Sequence, residues 1–337
     1  MIRSSTAPRA EPTPPPPPAP PPRRQRPRPP EDAVWSAVAS LSPPPKFSSL
    51  PPPSQGAVLR LVAPAGPFDR AAFERGVAFL RERYELRYDE GIFAREGFLA
   101  GDDERRVAEL RAALADPDAS AIVAARGGYG ATRLLPMLDP REVRRARKPL
   151  VGFSDLTALH ALWARAGVRS IHGPMVAWLG DADLPARQAW VDAIEGRHAP
   201  IEGLRSLAAR RPAVGALTGG NLAVLAALVG TPYAPPLGGS VLFLEEIGEA
   251  PYRVDRMLTT LRQAGWFDRV AGVLVGDFAC PRGKHDVDVL DVVEERLAGL
   301  SVPVLAGVPS GHGEQNAPLP FGAVAALDPL RGRVRFA

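Results

Sequence analysis

From residue 57 onward, short apolar runs alternate with amphipathic segments of helical length, and that alternation admits few folds. VLRLVAPAG (58–66) reads as a buried strand closing in a Pro/Gly turn, and DRAAFERGVAFLRERY (69–84) as an amphipathic helix. DERRVAELRAALA (103–115) is a second helix, opened by acidic residues that suit its N-terminal dipole. AIVAARGG (121–128) is a short strand breaking into glycines, PLVGF (149–153) another strand, and DLTALHALWARAG (155–167) a helix ended by Gly167. Strands and helices at this spacing imply parallel βαβ units, hence an α/β fold. The stretch that follows has mixed polarity and several prolines and reads as a linker over 181–213, after a first domain at 57–180. A second α/β pattern occupies 214–337. Its strands are expected at 241–247, 270–278 and 303–308, its helices at 254–265 and 288–300, with a closing hairpin. No repeat recurs at a fixed period.

The first 56 residues have a different character. About half of the 39 prolines fall there, including the run Pro14 to Pro18. Such a segment favours polyproline II and lacks the apolar surface for a core, so a disordered extension is expected over 1–56; a docking segment for a proline-recognising partner is the alternative. It also carries the chain's charge. Arg3, Arg9, Arg23, Arg24, Arg26, Arg28 and Lys46 against Glu11, Glu31 and Asp32 give the same +4 as the whole sequence. The body is therefore near neutral and offers no basic footprint for nucleic acid. No apolar run reaches the roughly 18 residues of a membrane span, and no secretory h-region is seen. A single cysteine, Cys280, forms no disulfide framework. A cytoplasmic protein is expected.

Four features carry chemistry. In VGFSD (151–155) a buried strand stops at Ser154 and a helix begins at once, which can lift a hydroxyl above the sheet edge. The next N–H, of Asp155, can then donate to an oxyanion. The pentapeptide is not a full GxSxG elbow, because Leu156 replaces the second glycine, and Ser154 as a simple N-cap is the alternative. RGGYGATRLL (126–135) places Gly127, Gly128 and Gly130 between strand and helix, where free N–H groups can hold an anion. A dinucleotide loop would need glycine where Arg133 stands. LFLEE (242–246) ends a strand in carboxylates, at the sheet end where α/β proteins build sites. Glu245 could orient a base there, with Glu246 and Glu249 competing. Among five histidines, His160 reads as packed, and His198 and His285 fall in polar stretches that read as exposed. His172 and His312 remain as candidate bases. No spacing suits a zinc or di-metal site, so neither metal nor cofactor is expected.

Seven ordered blocks from residue 57 to the end resemble the LD-carboxypeptidase family, which includes the microcin C self-immunity peptidases. They are LVAPAGPFD, AARGGYGATRLLPMLD, KPLVGFSDLTALH, IHGPM, LTGGNLAVLAALVGTPY, LFLEEIGEAPYRVDRML and SGHGEQNAPLPFG. The resemblance implies two α/β domains, the N-terminal one flavodoxin-like with a parallel sheet, and a metal-free homodimer with a Ser-Glu-His triad. Carried over by motif, the nucleophile is Ser154 of GFSD, the orienting acid Glu245 and the base His312 of SGHGEQ. The family often has aspartate where Glu246 stands. The implied oxyanion donors are the N–H groups of Asp155, Gly127 and Gly128, and Tyr129, Gly219, Gly220 and Asn221 are candidate substrate contacts. The implied reaction is release of terminal D-alanine from a murein tetrapeptide during cell-wall recycling. Alternatives are an immunity-type peptidase acting on peptidyl- or aminoacyl-nucleotide antibiotics, and a non-enzymatic binder in which GGYG and Gly219–Asn221 hold an anion.

Overall fold

The computed structural model describes residues 47–282 and 287–337 of the 337-residue chain. Residues 1–46 and His285 lie outside the described residues. The first sheet has the strands β1 (Val58–Val62), β2 (Glu85–Arg87), β3 (Ala119–Ala124), β4 (Leu150–Gly152) and β5 (Ser170–His172). The second has β6 (Arg205–Ser206), β7 (Ala213–Asn221), β8 (Val241–Ile247), β9 (Gly272–Ala279) and β10 (Val304–Ala306). Then β11 (Leu319–Phe321) returns to the first sheet, and β12 (Val324–Asp328) and β13 (Arg333–Phe336) form the expected hairpin on the second.

The first sheet runs β2-β1-β3-β4-β5-β11, parallel from β2 to β5. This is the flavodoxin-like order, whose ligand crevice opens where β1 and β3 diverge. Alternation along its strands feeds two layers. Val62, Ile122 and Ala124 pack with Leu110, Val143 and Leu159 on one face. Leu59, Leu61 and Val123 pack with Phe73, Leu80 and Trp190 on the other. The second sheet runs β13-β12-β7-β8-β9-β10-β6 with β7 to β10 parallel. The helices Leu222–Leu228, Pro251–Gln263 and Val289–Leu297 cover one face through Leu225, Leu258 and Val293. The other face, with Leu217, Phe243 and Leu274, packs against Leu319 and Phe321 of β11. Because β11 belongs to the first sheet, the two sheets meet through it.

Three features differ from the sequence reading. The linker stretch contains the helix Leu184–Ile194, whose Asp183 caps it by accepting from Ala186 N–H; Trp190 and Ile194 bury against the first sheet. β7, in the body of the second sheet, was not anticipated. Its sequence, AVGALTGGN, is rich in glycine and poor in the branched residues that mark strands. The proline-rich segment, expected to stand free up to residue 56, lies on the body from Phe47. Ser48 N–H donates to Gly167 O, Arg169 N–H to Ser48 O, and Leu50 N–H to Arg147 O. Phe47 packs over Gly322, beside β11. A chain shortened to begin at Ala57 is therefore expected to melt roughly 3–6 °C below one beginning at Phe47, at about 1 kcal/mol per lost bond. Equal melting temperatures would show that this strap contributes nothing.

Candidate active site

β4 ends at Gly152, Phe153 is extended, and Ser154 takes φ 64°, a left-handed conformation that side-chain-bearing residues seldom adopt. A helical turn (Ser154–Leu156) leads at once into the helix Thr157–Ala166. The N-cap position is held by Phe153, not Ser154, and among the described residues the Ser154 side chain has no hydrogen bond, so the N-cap alternative has no support in the geometry. Two residues hold the turn. Asp155 is buried, and its carboxylate accepts from Ala131 N–H at 2.7 Å, tying the turn to the glycine loop after β3. Burial pushes that carboxyl up to about 6, against the pull of the Ala131 N–H and the Arg106 guanidinium. Gly127 presses its backbone against the serine. A methyl group in its place would stand 3.0 Å from Ser154 Cβ and 3.3 Å from Oγ, so any side chain would crowd the hydroxyl. Gly127 O accepts from Gly66 N–H at 2.9 Å, joining the loops after β1 and β3 at the switch point. Among the described residues, the N–H groups of Gly127 and Gly128 have no acceptor.

Alternation along β8 decides which carboxylate enters the site. Leu242 and Leu244 point to the helical layer, Val241 and Phe243 to the first sheet. Glu245 follows Phe243 in phase and is fully buried. Its Oε2 lies 2.6 Å from His312 Nδ1. Glu246 points the opposite way. It accepts from Ala223 N–H at 2.7 Å, Asn221 Nδ2 at 2.9 Å and Ile247 N–H at 2.9 Å, anchoring the start of the helix after β7. Glu245, and not Glu246, is thus the carboxylate in contact with His312. Burial alone would raise the Glu245 carboxyl, but the imidazoles of His172 and His312 outweigh it and hold it below the ordinary carboxylate range. Glu249 is half-buried, 3.3 Å from Arg253.

His312 lies in the loop after β10, and its ring packs on Phe153 at 4.8 Å between centroids. The residue preceding Ser154 is thus the floor under the imidazole, so serine, histidine and glutamate share one locale at the junction of the two sheets. The junction is itself bonded: Thr157 Oγ1 accepts from Asn221 N–H at 2.9 Å. Gly220 must be glycine because a methyl group there would stand 2.3 Å from that same Oγ1. Gly219 lies against the Phe243 backbone, and Asn221 caps the helix Leu222–Leu228. The structure gives these three residues interior partners. Tyr129 is about half exposed and packs edge-on against exposed Phe98, 5.4 Å away, beside the glycine loop.

The remaining histidines separate clearly. His160 is buried, with Nδ1 at 2.8 Å from Ser170 Oγ and Nε2 at 2.7 Å from Gly152 O, and burial together with His172 drives its basicity down to about 3. His198 is half-buried rather than exposed. His172, on β5, is fully buried with Nε2 4.0 Å from Glu245 Oε1. One residue that the sequence reading passed over is Asp277, on β9. Its carboxylate lies over Gly313, next to His312, and burial pushes it up to about 6. The available signal was its place on the strand adjoining the one that carries Glu245.

Comparisons agree with this architecture. The family model for the LD-carboxypeptidase N-terminal domain matches residues 59–173, and that for the LD-carboxypeptidase C-terminal domain matches residues 214–327. The chain belongs to the LD-carboxypeptidase family, a family of peptidases. It is 35% identical over 290 residues to the murein tetrapeptide carboxypeptidase of Pseudomonas aeruginosa, covering 81% of this chain and 94% of the relative. The crystal structure of muramoyltetrapeptide carboxypeptidase from Oxalobacter formigenes superposes with a TM-score of 0.76 at 30% identity, over 83% of this chain and 98% of that one. The microcin C7 self-immunity protein MccF shares the fold with a TM-score of 0.78 at 21% identity, over 87% of this chain and 98% of its own. No helix among the described residues is long and apolar enough to cross a membrane.

Proposed function

We propose that this protein is a serine carboxypeptidase that releases terminal D-alanine from murein tetrapeptides, cutting the bond between an L-centre diamino acid and that residue. The observation that carries the reading is the buried Glu245–His312 pair seated on Phe153, beside a serine in the left-handed conformation at a strand-to-helix turn. In the reaction His312 takes the Ser154 proton as Oγ attacks the amide carbonyl, then returns it to the departing amine. Glu245 accepts from His312 Nδ1–H, leaving Nε2 as the basic nitrogen. The N–H groups of Gly127, Gly128 and Asp155 serve as donors to the oxyanion. Water then enters and, with His312 again as base, releases the peptide from the serine ester.

The substrate follows the names of the Pseudomonas and Oxalobacter relatives, whereas the likeness to the immunity protein is one of fold alone. Tyr129 lies on the rim of the glycine loop, where it meets the substrate, and Gly219, Gly220 and Asn221 shape the strand end behind the acid. The same reading makes the protein a cytoplasmic homodimer, and a monomeric mass in sedimentation would count against that part. The direct test is mass spectrometry of a murein tetrapeptide incubated with purified protein, with loss of one alanine expected. An unchanged tetrapeptide would overturn the substrate. Because His312 carries every proton in this scheme, EDTA is expected to leave turnover unchanged. Inhibition by EDTA that zinc reverses would overturn the serine mechanism.

A further inference from the structure

Two buried polar atoms, His172 Nε2 and Glu245 Oε1, face each other across the seam between the sheets, and among the described residues neither has a hydrogen bond. His172 is fully buried, and among the described residues neither of its ring nitrogens has a hydrogen bond. Glu245 is equally buried, and its Oε1 has none either, since only Oε2 meets His312. Nε2 of the one and Oε1 of the other are 4.0 Å apart. Unpaired buried polar atoms are costly, so they are nearly always found with partners. A closure of about 1 Å would turn this gap into an ordinary hydrogen bond.

Among the described residues no competing partner is at hand. The His172 ring is enclosed by Phe153, Phe243 and Phe321, with centroids 5.8, 5.1 and 5.4 Å away. His160, 6.2 Å away, has both nitrogens engaged, by Ser170 and by the Gly152 carbonyl. The backbone fixes the ring in turn. His172 is in register with Gly152 of β4, two residues before Ser154, and with Leu319 of β11. His172 is thus anchored to the strand that presents the serine, while Glu245 belongs to the other sheet.

We propose that His172 is a positioning residue: its Nε2–H grips Glu245 Oε1 across the seam, so that the carboxylate is held on both oxygens and presents Oε2 to His312. The proposal rests on the Ser154–Glu245–His312 reading given above. It means that relative movement of the two sheets would loosen the acid from the sheet bearing the nucleophile. A donor on Oε1 favours the ionised carboxylate. Without it the Glu245 carboxyl rises, and once protonated it no longer accepts from His312. The acid limb of the rate profile therefore moves to higher pH. The titratable groups around His172 are Glu245 on β8 and His160 on the helix Thr157–Ala166, with His312 and Asp277 beyond Glu245.

The first measurement uses the unaltered protein. Nitrogen-15 NMR of its histidines is expected to show the His172 proton on Nε2, and a bare Nε2 would overturn the proposal. The second is kinetic. Replacing a charge-assisted donor, His172→Phe is expected to lower kcat by about tenfold to a hundredfold with little change in KM. It should also raise the acid limb by about one pH unit. His172→Gln, which restores an N–H, should recover most of both. A folded His172→Phe protein with wild-type kcat and acid limb would sink the idea. So would a loss of rate that leaves the limb in place and that glutamine does not repair, the mark of a packing role alone. If the catalytic reading itself fails, no form turns over substrate, while the His172 proton remains readable in the resting protein.

Discussion

Replacing Ser154 with alanine is expected to lower D-alanine release by about four to six orders of magnitude, the scale seen when a triad nucleophile is removed. The fold should survive. Ser154 is not the N-cap, and among the described residues its hydroxyl has no hydrogen bond, so its loss removes no internal partner from the turn. A second substitution sharpens the test, because Ser154 occupies φ 64°. A side-chain-bearing residue in this region costs about 1–2 kcal/mol, and glycine escapes that cost but loses about 0.5–1 kcal/mol through the freedom of its unfolded chain. Ser154→Gly should therefore be as inactive as Ser154→Ala, yet melt at the same temperature or a few degrees higher. Kinetics on the tetrapeptide and thermal unfolding of both variants decide it. Near-normal turnover by folded Ser154→Ala would remove the serine from the mechanism. A Ser154→Gly protein melting well below the alanine variant would show that the turn stores no strain.

The same turn shows what a sequence makes visible and what it hides. GFSD announces an abrupt passage from strand to helix, because apolar residues stop and helical periodicity begins at once. Whether the serine caps or protrudes depends on one backbone angle, and no residue preference fixes that. LFLEE behaves similarly. Two successive carboxylates on a strand must face opposite ways, but which one faces the site follows from the phase set by Val241 and Phe243 and from the side on which the helices lie. That is a property of the assembled sheet. β7 and β11 were illegible for a different reason. Their strand character comes from pairing with neighbours, not from their own AVGALTGGN and LPF residues. His172 could be read as lying on an apolar run, but its nearness to Glu245 needs both sheets and the shared β11. The strap at Phe47–Leu50 sits in a composition that signals disorder, and only its bonds to Arg147 and Gly167 reveal it.

Removing His312 should act on stability as well as on rate, and the two effects together test whether Glu245 is a buried charge. His312→Ala is expected to reduce kcat by several orders of magnitude, as loss of a triad base does. It also strips the 2.6 Å partner from a carboxylate with no solvent exposure. Breaking a buried pair costs about 3–5 kcal/mol, and here the lower end applies, because the imidazole is partly exposed and water can follow it in. The pH dependence gives the sign. In the intact protein Glu245 titrates below its unfolded value of about 4.3, so its stabilising contribution is present above that pH and is lost as pH falls through the folded value. With His312 gone, only His172 is left to offset burial, so the carboxyl is expected to move up past its unfolded value. Its contribution then favours the folded state at low pH and is lost as pH rises through the new value. Asp277, which His312 also holds down, shifts the same way, while Asp155 is common to both proteins and cancels. The stability gap between the intact protein and His312→Ala should therefore narrow from pH 7 to about pH 5. Adding Glu245→Gln to His312→Ala should recover part of the loss at pH 7 by removing the stranded charge, without restoring turnover. Urea unfolding of the three proteins at both pH values makes the measurement. A gap that ignores pH and a double variant no more stable than His312→Ala would mean that Glu245 carries no charge against His312, and the acid of the triad would have to be sought elsewhere.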